Sequence, residues 1–190
     1  MTPILPYCRV PIVVREHNAA AADVARRVAE LSASKRPSAV AEHVGSSAVP
    51  GLAGKGTVDL LLPTPSEEIP AVTDDLLALG FQRQAVSTAF PPTRPMLQGI
   101  IRHGDTSFRV HIHVVPADSP EVTALRGFRD ALLTDPGLRV EYEDLKRSIV
   151  DGGTVDSVAF SKAKHAWIVA ALERLGLADA AEEAKRGGLP

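Results

Sequence analysis

The chain carries one cysteine, Cys8, so no disulfide can form within it, and that usage fits a reducing cytoplasm. It also lacks a charge excess. Lys and Arg number 21 against 23 Asp and Glu, and a net charge of −2 argues against extensive nucleic-acid binding, which draws on a basic surplus. A local basic pocket for one nucleotide is compatible with this balance. Long apolar runs are missing too: Pro3, Pro6 and Pro11 interrupt the first residues, so neither a signal peptide nor a membrane span is expected. No internal repeat and no Walker-type Gly-Lys-Ser/Thr loop occurs. What remains is an ordinary globular composition, 45% apolar and 23% charged over 190 residues, enough for one domain with a proper core.

Residues 40–62, VAEHVGSSAVPGLAGKGTVDLLL, organise the rest. They read as a strand into His43, a turn at Gly45-Ser46, a loop fixed by Pro50-Gly51, and a second strand bearing Asp59. Gly45 allows a sharp turn whose N–H groups can face a phosphate, Ser46 and Ser47 add hydroxyls, and Lys55 adds a point charge. On the second strand, alternation puts Thr57, Asp59 and Leu61 on one face and Val58, Leu60 and Leu62 on the other. A lone carboxylate in such a run is costly to bury unless a partner meets it. His43 has two readings, a core histidine bonded to backbone or a site residue.

A second constellation lies at 107–115, SFRVHIHVV. Arg109, His111 and His113 share one face of this strand, and histidines two residues apart can share a ligand or a metal. The plain alternative is an exposed edge strand with incidental histidines.

Around these blocks the periodicity predicts a short strand at 10–14, a helix capped by Asn18 with Val24, Val28 and Leu31 inward, and a helix capped by Ser66 and ended by Gly80. His17 is expected at the surface. Residues 90–95 read as a proline-stiffened loop, and His103-Gly104-Asp105 as a hairpin turn with His103 exposed. Ser119-Pro120-Glu121 and Asp135-Pro136 start two helices. Residues 151–154 are expected to cap a last long helix that ends near Gly176, and 177–190 form a flexible tail after a single domain spanning 1–176.

The run HVGSSAVPGLAGKGTVDLLL resembles the signature of the GrpB family, and FRDALLTDPGLRVEYEDLK at 128–146 resembles a second block of that family. A His-rich strand like 107–115 also occurs there. The resemblance covers residues 36–175 but fails at 15–18, where a Pro-Tyr-Asp-Pro-x-Trp type segment is replaced by Arg-Glu-His-Asn. It implies an α/β (α+β) fold, a small mixed β-sheet flanked by helices, of the nucleotidyltransferase-like type related to DNA polymerase β. In that superfamily a Gly-Ser turn precedes a strand bearing metal-binding carboxylates; here twelve residues separate Ser46 from Asp59. The next acid of that pattern would fall at 61, which is Leu61, a departure from the standard two-metal site.

The resemblance therefore implies a nucleotide-dependent transferase acting on a small metabolite, with ATP or another nucleoside triphosphate and a divalent metal (Zn, Mn or Mg). Asp59, His111 and His113 would hold the metal, with the histidines as alternative general bases. Gly45, Ser46 and Ser47 would hold phosphate, Lys55 and Arg109 would offset developing charge, and Arg129, Lys146 and Lys164 are further cations available to a phosphate. One Asp with two His suits Zn²⁺, Mn²⁺ or Ni²⁺ better than Mg²⁺, which prefers oxygen. Two other readings stand beside this one: a metal-dependent enzyme forming or hydrolysing an amide, and a non-catalytic binding protein, which Leu61 favours. No membrane partner is expected, and the oligomeric state is open.

Overall fold

The computed structural model describes residues 4–84 and 90–185. Five strands form one mixed sheet in the order β1-β2-β5-β4-β3: β1 Glu42–Val44, β2 Thr57–Thr64, β3 Gln82–Arg83, β4 Met96–His103 and β5 Thr106–Pro116. β2 and β5 run parallel at the centre, and every other pairing is antiparallel. This is the small mixed sheet flanked by helices that the resemblance implied.

The two sheet faces divide as alternation requires. Val58, Leu60 and Leu62 of β2 join Val110, Ile112 and Val114 of β5 in the larger core, covered by α1 Ala20–Lys35 and α2 Ile69–Ala78. The opposite face carries Thr57, Asp59 and Leu61 beside Arg109, His111 and His113, matched residue for residue in the parallel register. Over it stand α3 Pro120–Thr134, α4 Pro136–Asp151 and α5 Ser157–Arg174, which have a core of their own around Phe128, Leu132, Tyr142 and Leu172. A polar sheet face thus meets an apolar helical bundle, and a cavity lies between them.

Local signals account for most element ends. Ser119 accepts a hydrogen bond from Glu121 N, Asp135 accepts one from Leu138 N, and each cap is followed by a proline at the first helical position, where no N–H partner is lost. Asn18, expected as the cap of α1, lies one residue before the N-cap Ala19, which makes no side-chain cap, and its Oδ1 accepts from Ala20 N at 3.0 Å.

Four expectations need correction. Residues 10–14 form no strand; the N-terminal arm touches the fold through isolated bridges, Leu5 to Ile100 and Arg15 to Gly54. Ser66 begins a 3-10 turn (Ser66–Glu68) ahead of α2 and makes no side-chain cap. The last long helix is capped by Asp156, whose carboxylate accepts from Val158 N and Ala159 N, while Gly152 closes α4. The supposed tail holds a sixth helix, α6 Ala178–Lys185, whose Ala180, Ala181 and Ala184 are buried in the core of the bundle. Gly127 on α3 makes room for it: a Cβ there would sit 2.5 Å from Leu177 Cδ1. Residues 186–190 of that expected tail, and 85–89 before the 90–95 loop, lie outside the described residues. Among the described residues no helix is long and apolar enough to cross a membrane.

Candidate metal and anion site

Asp59 stands opposite His111 across the two parallel central strands, and Val44 of β1 stands on its other side. His111 Nδ1 lies 3.3 Å and His113 Nε2 3.9 Å from Asp59 Oδ1. One ligand atom from each of the three residues falls within 4.8 Å of the others, a spacing that one ion can bridge. Phe90 meets the His113 ring edge-on at 5.8 Å, and Arg94 lies over the Phe90 ring at 4.5 Å.

The protonation states suit cation binding. Burial alone would raise the Asp59 carboxyl, but the Lys55 ammonium and the two imidazoles hold it well below the usual carboxylate range. Burial lowers His111 to about 4, with Lys55 pushing the same way and Asp59 opposing, so its imidazole is neutral at pH 7. His113 is 2% exposed, and its Nε2 is a buried polar atom with no hydrogen-bond partner among the described residues. A buried nitrogen left unpaired costs free energy. A carboxylate, a neutral imidazole and an orphaned imidazole nitrogen fit a transition-metal ion, and fit Mg²⁺ less well.

Gly45 is what lets the turn come this close. Its φ of 72° and ψ of −170° lie in a region essentially confined to glycine, and a Cβ there would stand 3.1 Å from Asp59 Oδ2. Beyond the turn a cavity of about 230 Å³ opens between sheet and bundle. Gly45, Ser46, Ser47, Lys55, Asp59 and His113 line one side of it, and Lys146 and Lys164 the other.

Those two lysines are 1% and 7% exposed. Lys146 Nζ donates to the Ala53 carbonyl, approaches Ser46 Oγ at 3.4 Å, and lies 4.6 Å from the Tyr142 ring centroid. Lys164 Nζ lies 3.3 Å from Tyr142 Oη. Neither makes a carboxylate ion pair among the described residues. Burial, with Lys164 adding repulsion, lowers Lys146 to about 7. The unfolded chain then binds more protons than the folded one between pH 7 and the ordinary lysine value near 10.4, so stability should rise with pH across that window. Urea unfolding of the ligand-free protein is expected to give a higher midpoint at pH 9 than at pH 7, with Lys146→Met flattening the difference.

Other candidates sit elsewhere. Arg109 Nη2 donates to the Lys55 carbonyl at 3.0 Å and braces the loop outside the cavity lining. Arg129 is held on the seam between α3 and β1 by Asp130 at 2.7 Å, Glu42 at 3.7 Å and the His43 carbonyl at 3.3 Å, so the structure does not bring it to the cavity. His43 Nε2 lies 2.9 Å from Ser47 Oγ, a side-chain partner in place of the backbone one that its core reading required. His103 is exposed, as anticipated.

Two contributors escaped the sequence reading. His17, expected at the surface, is half-buried and lines the cavity with Nε2 3.3 Å from the Ser47 carbonyl, because the bridge from Arg15 to Gly54 draws the arm inward. Tyr7 reaches from the same arm to His111, its hydroxyl 3.0 Å from Nε2. No local pattern announces either one.

Fold and site together define a class: a mixed α/β protein whose central parallel strands present an Asp/His cluster to a lysine-lined cavity under a helical bundle. The chain belongs to the GrpB family, whose profile, described as GrpB protein, matches residues 11–174. A UPF0157 protein of Streptomyces coelicolor is 33% identical over 140 residues, 72% of this chain and 69% of the relative. Another, from Pseudomonas aeruginosa, is 32% identical over 164 residues, covering 84% of this chain and 62% of its own length, so this chain spans less than two thirds of that relative. The crystal structure of conserved protein GrpB from Enterococcus faecalis aligns at a TM-score of 0.66 and 21% identity over 90% of this chain and 98% of that one, a likeness of fold.

Proposed function

We propose that this protein is a metal- and nucleotide-dependent transferase acting on a small metabolite, of the nucleotidyltransferase-like type. The observation that carries the reading is the convergence on one cavity of Asp59, the His113 nitrogen and two buried lysines; among the described residues the nitrogen has no hydrogen-bond partner and the lysines no carboxylate partner. Buried ammonium groups are costly, and an anionic ligand between them and the Gly45 turn would offset that cost.

Asp59, His111 and His113 would hold the cation. A divalent metal there supplies neutralisation of phosphate charge and acidification of an attacking hydroxyl. The turn N–H groups and the Ser46 hydroxyl donate to phosphate oxygens, and Lys55, Lys146 and Lys164 balance the charge that leaves with the departing phosphate. Leu61 packs with Val44, Val115 and Val122, so no second carboxylate stands beside Asp59 on β2, and one ion is the expected content.

Tyr7 would act as a positioning residue. With the Tyr7 hydroxyl accepting from Nε2–H, the ring is fixed in the tautomer whose Nδ1 lone pair faces the Asp59 side, the usual arrangement behind a metal-bound imidazole. Tyr7→Phe is expected to weaken metal binding about tenfold, read by competition with a chromogenic chelator; unchanged affinity would remove Tyr7 from the site.

The reading is tested by calorimetric titration with nucleoside triphosphates, with and without Mn²⁺ or Zn²⁺. Binding that needs the metal and is weakened in Lys146→Met supports it. Metal-independent binding with no turnover would favour the non-catalytic alternative.

A further inference from the structure

Adjacent serines in the turn point their hydroxyls to different partners. Ser46 Oγ faces Lys146 at 3.4 Å, whereas Ser47 Oγ is 2.9 Å from His43 Nε2. His43 pairs in register with Leu60 and so lies on the sheet face away from Asp59. Ser47 lines the cavity and His43 does not, which puts the imidazole behind the hydroxyl. Burial lowers His43 to about 4, so its imidazole is neutral at pH 7, and in its Nδ1–H tautomer Nε2 accepts from the Ser47 hydroxyl. The Ser47 backbone is itself fixed, its carbonyl meeting His17 Nε2 at 3.3 Å within a turn closed by Ala48 N to Gly45 O.

A hydroxyl within hydrogen-bond reach of a neutral imidazole, on a residue that lines a ligand cavity, is the arrangement of an activated nucleophile. In that tautomer Ser47 is also separated from phosphate binding, because a proton donated to His43 is not donated to a phosphate oxygen.

We propose that Ser47, with His43 as its base, is a nucleophile that carries the nucleotidyl group of the bound nucleoside triphosphate before transfer, a role that rests on the nucleotide reading above. Ser47 Oγ attacks the α-phosphorus, its proton passes to His43 Nε2, and the bond to the pyrophosphate oxygen breaks, with pyrophosphate leaving as the anion. The acceptor hydroxyl then attacks the same phosphorus. The Oγ–P bond breaks, the proton on His43 returns to Ser47 Oγ, and the acceptor proton goes to solvent.

The test uses a fluorophosphonate, a phosphorus electrophile that loses fluoride and needs neither metal nor nucleotide, with the modified residue located by peptide mass spectrometry. Ser47 should be modified. The modification should vanish in Ser47→Ala, slow by at least about 100-fold in His43→Gln, and persist in Ser107→Ala, a cavity-lining serine whose hydroxyl is hydrogen-bonded to no histidine among the described residues. Circular dichroism checks that each variant is folded, with His43→Asn in reserve should His43→Gln unfold. Modification that misses Ser47, or that proceeds equally fast without His43, overturns the inference. In parallel, the protein is mixed with each common nucleoside triphosphate and Mn²⁺, and quenched within one turnover. Pyrophosphate release with a nucleoside monophosphate on Ser47 supports the inference, and release with Ser47 unmodified overturns it. No pyrophosphate from any triphosphate overturns instead the nucleotide reading beneath it.

Discussion

Asp59→Asn is expected to yield a folded protein that turns over nucleotide on the order of 10²–10³-fold more slowly and no longer retains a divalent metal. Asparagine has the shape of aspartate, so the β2–β5 register and the turn can stay in place. What goes is the negative charge that faces Lys55, His111 and His113. In the wild type those groups hold the carboxyl well below the usual carboxylate range, so it is charged at neutral pH, where the variant is not. With Leu61 two residues on, no second acid on β2 can compensate. Circular dichroism, turnover and retained metal of wild type and variant settle the matter. A variant with wild-type turnover would remove Asp59 from the chemistry.

Gly45→Ala should act through the backbone and show the opposite order of effects. The glycine φ of 72° with ψ near −170° places any side chain in strain, on the order of 2 kcal/mol, or about 4–8 °C in midpoint for a chain of this size. The added Cβ also stands 3.1 Å from Asp59 Oδ2. Relief by moving the carboxylate would displace a metal ligand. Thermal unfolding should therefore fall and metal affinity fall with it, while Gly104→Ala, where a Cβ meets nothing within 4 Å, shows the cost of a positive φ without the second loss. Equal metal affinity in Gly45→Ala and wild type would refute the close-packed turn as a determinant of the site.

The two site strands were legible because the period of two assigns faces without tertiary knowledge: Asp59 and His111 on one side, Leu60 and Ile112 on the other. Caps with a side-chain acceptor and a following proline, at Ser119 and Asp135, were legible for a similar reason, since the whole signal is local. Lys146 could be named from the block at 128–146 and Lys164 from the wider family resemblance, but no spacing could tell that they are buried against Tyr142. Arg129 looked equally available. Its fate depends on Glu42 and Asp130, one of them 87 positions away in the sequence numbering of the same seam. Tyr7 and His17 were illegible because they reach the site through an arm fixed by isolated bridges to distant backbone. The sixth helix was missed because an Ala, Glu and Lys composition reads as solvated tail, while Ala180, Ala181 and Ala184 are small enough to be buried in the core of the bundle.

The central claim, a cation held by Asp59, His111 and His113, is tested most directly by elemental analysis of protein purified without chelators or a histidine tag, alongside a variant carrying Asp59→Asn, His111→Ala and His113→Ala. About one transition-metal ion per chain is expected in the wild type, lost in the variant. No bound metal in the wild type, even after reconstitution with Zn²⁺, Mn²⁺ or Mg²⁺, would contradict it.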